Sequence, residues 1–269
     1  MAKKQAAKTS TLNRQSVEGR VEFLENTAAH NTKELVKLLP NALSDRSPAV
    51  RDKAILLVAE HKLTEAARLV EPLLHDNNQD VRYDTAECVG ILQKGRRSSP
   101  SGLRDLLRDR SAVIRAQAAE SLGLLEDRGA LPKIARLLSD KDPVVRSYAA
   151  STVGTLEGYT YLNNIRRGLI REKHDLARVG FYECLFLLGE RESFPEMLML
   201  LRSSDYHVRC SVANTLEGMP LEAPEVELAI TALAAASRKP CAVADKTTTR
   251  RVLKAFRSLI IRGQTGRSP

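Results

Sequence analysis

"SDKDPVVRSYAASTVGTLE", residues 139–157, decides the fold. A short polar turn carries Asp140 and Asp142, Pro143 follows, and an apolar stripe then runs through Val145, Ala150 and Val153. Asp142 is a good helix N-cap, because its side-chain oxygen can satisfy orphan backbone N–H groups. Pro143 fits the first helical position, where a missing N–H costs nothing. The spacing of the apolar residues marks one face of a helix. Keyed on Arg146, the same phrase recurs at Arg51, Arg82, Arg115, Arg178 and Arg209, and successive copies lie 31, 33, 31, 32 and 31 residues apart. A seventh copy fits Arg251 after an insertion of about ten residues around 237–246. A period of this size means stacked supersecondary units.

The columns hold at other offsets. Eight residues before the arginine stand Leu43, Leu74, Leu107, Leu138, Ile170 and Leu201. Six before it stand Asp45, Asp76, Asp109, Asp140, Glu172 and Ser203. Four before it stand Ser47, Asn78, Ser111, Asp142, His174, Asp205 and Thr247, all but His174 good N-caps. Each copy therefore reads as two helices. Helix A ends in an apolar pair, and helix B starts at the cap and buries positions −1, +4 and +7 from the arginine. Gly90, Gly123 and Gly154 at +8 cost helix propensity, about 1 kcal/mol each. That cost is tolerated where another backbone comes close.

The stretch "LEDRGALPKIARLLSDKDPVVRSYAASTVGTL" resembles a HEAT repeat, of the short regular kind also found in phycobilin lyases. The resemblance implies an all-α fold, an α-solenoid (superhelix) of about seven helix pairs. It also implies a ladder in which the acid before helix B and the arginine on it join neighbouring repeats. The recurrent arginine is then structural. Glu172, Ser203 and the Arg250-Arg251 pair depart from the plain pattern, so a weaker ladder is expected there. The expected organisation is a basic disordered tail at 1–14, a repeat body at 15–262 and a C-terminal tail at 263–269. The body comprises a capping helix at 15–29 and repeats over 33–262.

Composition agrees. Aromatic residues make up 4 % and Trp is absent, so the core is one of closely packed Leu, Val and Ala. Net charge is +9, but residues 1–14 carry +4 and residues 238–269 carry +8, leaving the body slightly acidic at −3. The longest apolar run, near 228–236, is too short to cross a bilayer. No apolar stretch follows the first lysines, so no secretory signal is read. Cys88, Cys184, Cys210 and Cys241 form no CxxC, and reduced thiols in a cytoplasmic protein are expected.

The B row of such repeats usually lines the concave surface. Positions +2, +5 and +6 are expected to be exposed there. They supply a partner-binding set of Asp84, Glu87, Gln117, Glu120, Tyr148, Ser151, Glu183 and Asn214. An acidic groove of this kind suits a basic or hydrogen-bonding protein segment and repels a phosphate backbone. In the last helix Arg250, Lys254 and Arg257 share one face, with Val252, Phe256, Leu259 and Ile260 toward the other. Those cations either solubilise the terminal repeat or contact an anion such as nucleic acid.

Catalysis finds little support. The five histidines do not sit at zinc-ligand spacings, none is followed by Glu as in iron-holding HEAT hydroxylases, and GxxxxGK[ST] and GxSxG are absent. Glu87 and Glu120 as a carboxylate pair across adjacent repeats are a weak sign of acid–base work. The expectation is a non-catalytic scaffold with no cofactor or metal, a protein partner and no membrane insertion. Nucleic-acid binding through the basic ends is the alternative, and phycobilin-lyase-like activity a remote one. The oligomeric state is not legible.

Overall fold

Most B helices start where a carboxylate arrests the chain. In the computed structural model Asp45 Oδ1 accepts from the Ser47 N–H at 2.8 Å, and Asp76, Asp109 and Asp140 repeat that turn two residues before Asn78, Ser111 and Asp142. The acid thus bends the backbone into the cap position. Asn78, Asp142 and Asp205 also cap with their own side chains, whereas Ser47, Ser111 and His174 hold the N-cap position without a side-chain bond.

The structure describes residues 16–239 and 242–265, with side chains through Ser258. The expected tail 1–14, Gln15, Pro240, Cys241, residues 266–269 and the side chains of Leu259 and Ile260 lie outside the described residues. No strand occurs among the described residues. The chain divides into two compact units, Met1–Lys133 and Ile134–Pro269.

In the first unit, helices α1 (Val17–His30) and α2 (Thr32–Ala42) precede three B helices, α3 (Pro48–Glu60), α4 (Gln79–Leu92) and α5 (Ala112–Leu124). α1 packs on α3, α3 on α4 and α4 on α5. The intervening A segments are short mixtures of α and 3₁₀ turns, such as Thr64–Ala66, Ala67–Val70 and Glu71–His75. The second unit contains α6 (Pro143–Thr155), α7 (Leu162–Arg171), α8 (Asp175–Leu187), α9 (Tyr206–Gly218), α10 (Ala223–Arg238) and α11 (Val243–Thr265). There α6 packs on α8, α8 on α9, and α9 and α10 on α11. Positions −1, +4 and +7 are buried in all six copies keyed on Arg51 to Arg209. Ile170 is an exception in its column at 83 % exposure, against 9 % or less for the leucines. Its A helix, α7, winds as a continuous α-helix to Arg171. Most other A segments close in a 3₁₀ turn, whose tighter winding turns the equivalent residue inward.

The arginine ladder is present. In each complete rung one guanidinium edge donates to a carboxylate of the next repeat. Arg51 Nε and Nη2 reach Asp76 at 2.7 and 2.7 Å, Arg82 reaches Asp109 at 2.8 and 3.2 Å, and Arg146 reaches Glu172 at 2.6 and 2.9 Å. The Nη1 of the same arginines donates to the carbonyl of their own turn acid, Asp45, Asp76 and Asp140. Bidentate charge-assisted bonds of this kind are among the strong ones. Burial pushes the Asp76 carboxyl up. The Arg51 bond, the Asn78 N–H and the Arg51 and Arg82 charges outweigh it, so Asp76 sits below the usual carboxylate range.

Four features depart from the sequence reading. The expected capping helix carries a rung of its own: Arg20 pairs with Asp45 at 2.9 Å, with Ser16 as side-chain cap four residues earlier. In the last copy Arg251 is not a rung; it is half exposed and bonds Glu217 and Asn214. The rung there is Arg209–Asp245, and Thr247, expected as a cap, lies inside α11 with its hydroxyl donating to Val243. The insertion expected around 237–246 is largely taken up by the end of α10 and the start of α11. Glu172 gives a full rung, so the ladder is not weaker at that copy.

It is broken at Ser203. Among the described residues Arg178 meets the Tyr182 hydroxyl at 3.0 Å and Asp175 at 3.5 Å, and its buried Nε has no partner there. Ser203 Oγ does make the turn, accepting from the Asp205 N–H at 3.2 Å. An aspartate at 203 would keep that turn and supply the missing acceptor. Ser203→Asp is expected to raise stability by about 1–2 kcal/mol, read as a higher urea midpoint at unchanged slope. A midpoint equal to or below that of the parent would contradict this account of the rung.

Candidate functional site

A middle B helix is covered by its A helix and by the B helices before and after it, which leaves one open side. That geometry corrects part of the expected exposed set. At position +6, Leu57, Cys88, Ser121, Thr152 and Cys184 are buried, and only Thr215 is half-buried. Neighbouring B helices meet there closely: a Cβ on Gly90 would come within 2.9 Å of Ser121 Cβ. At +2, Gln117 and Gly180 are buried rather than exposed. Gln117 donates to Ser121 Oγ at 3.3 Å, and Ser121 Oγ in turn donates to the Ala86 carbonyl at 2.8 Å. Position +5 holds the open side, together with +9, where Ile91 is exposed.

In the first unit that side is acidic. Glu87 on α4 and Glu120 on α5 occupy matched positions on packed helices, and Leu56 takes the same place on α3. Asp84 stands one turn before Glu87, with Asp52 on α3 against it. All four carboxylates are half-buried, and none has an ion-pair partner among the described residues. The nearby Lys53 is held by Glu25 at 2.7 Å. Burial comes first in pushing the Asp84 carboxyl up to about 8, followed by its hydrogen bond with Asp52 and the charges of Asp52, Glu87 and Asp80. Asp52 Oδ1 is itself buried with no donor against it among the described residues. Burial and the Glu87 charge also raise Glu120, against the opposing Gln117 hydrogen bond. Burial and these same acids push the Cys88 thiol up to about 12, which leaves it inert. Cys88, Cys184 and Cys210 are all free thiols. The Leu56 and Ile91 side chains on the same helices are 39 % and 44 % exposed, so apolar surface accompanies the charge.

The second unit offers a different surface. Tyr148 is exposed, and Ser151 and Glu183 are half-buried. Asn214 is exposed, but its Oδ1 accepts from Arg251 at 2.9 Å, so it is already engaged. The expected eight-residue set therefore resolves into an acidic cluster of Asp84, Glu87 and Glu120, an inward Gln117, and four residues of the second unit with no common chemistry. Asp52 completes the cluster; it lies at +1, outside the expected open positions, where Ala116, Ser147 and Val179 of other copies are buried. Arg250, Lys254 and Arg257 are all exposed on α11, as expected from their spacing.

Among the described residues no group of three or more His, Cys, Asp or Glu could hold a metal, and no helix is long and apolar enough to cross a membrane.

A family model described as HEAT repeats matches residues 100–178, so that stretch is built of HEAT repeats. No curated protein matches the chain. Among solved structures, a chain from the complex of CpcE and CpcF of phycocyanin lyase from Nostoc sp. PCC7120 is similar at 14 % identity and a TM-score of 0.61, over 82 % of this chain and 94 % of that one. Human deoxyhypusine hydroxylase is similar at 18 % identity and 0.43, over 87 % and 99 %. A chain of the Kap95:Nup1 complex matches at 12 % and 0.46, over 88 % and 38 %. The first of these likenesses shows the fold class, an all-α helical-repeat solenoid, and nothing about activity.

Proposed function

We propose that this HEAT-repeat chain is a non-catalytic scaffold that binds a basic protein segment along the open side of α3, α4 and α5. One observation carries the reading. Asp52, Asp84, Glu87 and Glu120 are packed together without an ion-pair partner among the described residues, and burial, with the neighbouring acids behind it, pushes the Asp84 carboxyl up to about 8. Such a cluster costs stability in the free protein, and a Lys or Arg from a partner relieves that cost. Leu56 and Ile91 give the same segment apolar contact. The α-helical frame is formed beforehand, which limits the ordering cost of binding.

Linkage gives the pH dependence. The free protein keeps a proton on Asp84 below about 8, and a bound cation favours the ionised carboxylate. Binding therefore releases a proton, and affinity rises with pH until it levels off above about 8. The test uses an array of Lys/Arg- and Leu-containing peptides at pH 6 and pH 8. The expected result is tighter binding at pH 8 and a loss of at least about tenfold in Glu87→Lys/Glu120→Lys, roughly the 1.4 kcal/mol that one good charge contact supplies. Binding should survive removal of residues 1–14 and charge reversal on α11. A double variant that folds and binds the peptides as the parent does would refute the reading.

A further inference from the structure

The C-terminal half of α10 and the middle of α11 enclose a cleft of about 510 Å³, lined by Ala234, Ser237, Leu253 and Ser258 with Arg238, Arg250, Lys254 and Arg257. All four cations are exposed, and none has a carboxylate partner among the described residues. Arg146, Arg166, Arg191, Arg209 and Arg251 of the same unit each pair with an acid, whereas these four share one cleft and face solvent. Of the acids near the cleft along the chain, Asp245 is fully buried against Arg209, Glu217 is held by Arg251 and Glu225 by Arg191, and the exposed Glu227 is not part of the lining. The two serine hydroxyls are spent as well, Ser237 donating to the Ala234 carbonyl at 2.9 Å and Ser258 to the Lys254 carbonyl at 3.0 Å. What remains to meet a ligand is positive charge alone. Solubility does not require this, since mixed charge on an outer face serves it as well.

We infer that this cleft docks the phosphodiester backbone of a nucleic acid without reading its bases. Three observations select that ligand. The lining has no aromatic ring, so there is no platform on which a base could stack. Arg250, Lys254 and Arg257 follow one face of α11 over about 10 Å, at 1.5 Å per residue, and so present a row rather than a point. The surplus also continues beyond the cleft, since residues 238–269 hold nine basic residues against Asp245. A small anion would use only part of such a row. Guanidinium and ammonium groups in a row suit successive phosphates. The site is separate from the acidic cluster on α3, α4 and α5, and either can fail without the other.

The test measures anisotropy of a fluorescent 20-base-pair DNA duplex with the full chain, between 50 and 200 mM salt. Arg250→Ala/Lys254→Ala/Arg257→Ala is compared with the parent after its melting temperature is shown to be unchanged. Each phosphate contact contributes about 0.9 to the slope of log affinity against log salt. Loss of three contacts should flatten the slope by about 2.7, and the loss should be the same for duplexes of different sequence. Cations of the tail 1–14 remain in both chains, so the difference isolates the cleft. An unchanged slope, no duplex binding by the parent, or equal binding of poly-glutamate or tripolyphosphate at matched charge would each overturn the assignment.

Discussion

Arg209→Ala is expected to lower the unfolding free energy by about 3–5 kcal/mol, the cost of leaving one partner of a buried ion pair alone. Arg209 and Asp245 are 7 % and 0 % exposed at the side chain and meet at 2.9 Å. Arg209 Nη2 also donates to the Ala236 carbonyl at 2.7 Å, so one guanidinium ties α9 to both α10 and α11. Removing it takes the guanidinium away from a fully buried carboxylate and frees a buried carbonyl. Urea unfolding at constant slope measures the loss. Arg251→Ala is the control, because its pair with Glu217 is half exposed and should be worth less than about 1 kcal/mol. Similar losses for the two variants would remove the distinction between rung and surface pair.

Gly180→Ala is expected to cost about 3 kcal/mol, at the upper end of the usual penalty for overpacking. A Cβ there would overlap the Ser147 carbonyl oxygen and lie 2.6 Å from its carbonyl carbon and 2.8 Å from its Cα. Those are backbone atoms of α6, which cannot move without shifting the whole helix. Gly218→Ala, at the open end of α9 with no atom within 4 Å, should be neutral or slightly stabilising through helix propensity. Thermal melts of the two variants check the contrast. A Gly180→Ala protein that melts like the parent would mean that α6 and α8 do not press together as described.

Much of this was legible because the repeat prints its packing into columns. Val145, Ala150 and Val153 recur in type at fixed offsets, and a residue repeated at −1, +4 and +7 is buried for the same reason each time. The ladder acids were equally visible. What failed to show was whatever one copy does alone. Arg20 lies 31 residues before Arg51, with Ser16 in the cap column, but Arg14 stands six residues before it, where the pattern calls for an acid. Asp245 stands in its column six residues before Arg251, yet the longer spacing hid its pairing with Arg209. The turn after several B helices places Lys62, Glu126 and Glu157 at left-handed φ of 50°, 57° and 54°, and such a position is announced by residue type at Gly95, at 74°, and Gly189, at 98°. The open face was over-read for a different reason. Exposure on a B helix depends on how closely its neighbours approach, and Gly180 and Gln117 carry no sign of that in their own identity.

The direction of the ladder has a consequence for how these units come apart. Arg20, Arg51, Arg82, Arg146 and Arg209 lean forward, onto an acid supplied by the copy that follows. Asp45, Asp76, Asp109 and Glu172 are also held by their own turn, through the N–H two residues on. Cutting back from the amino end would leave a carboxylate still bonded to its local backbone. Cutting back from the carboxyl end would leave a desolvated cation facing nothing. A copy with a complete rung is therefore guarded by its successor rather than its predecessor, and unravelling that begins at the carboxyl end exposes the costlier group.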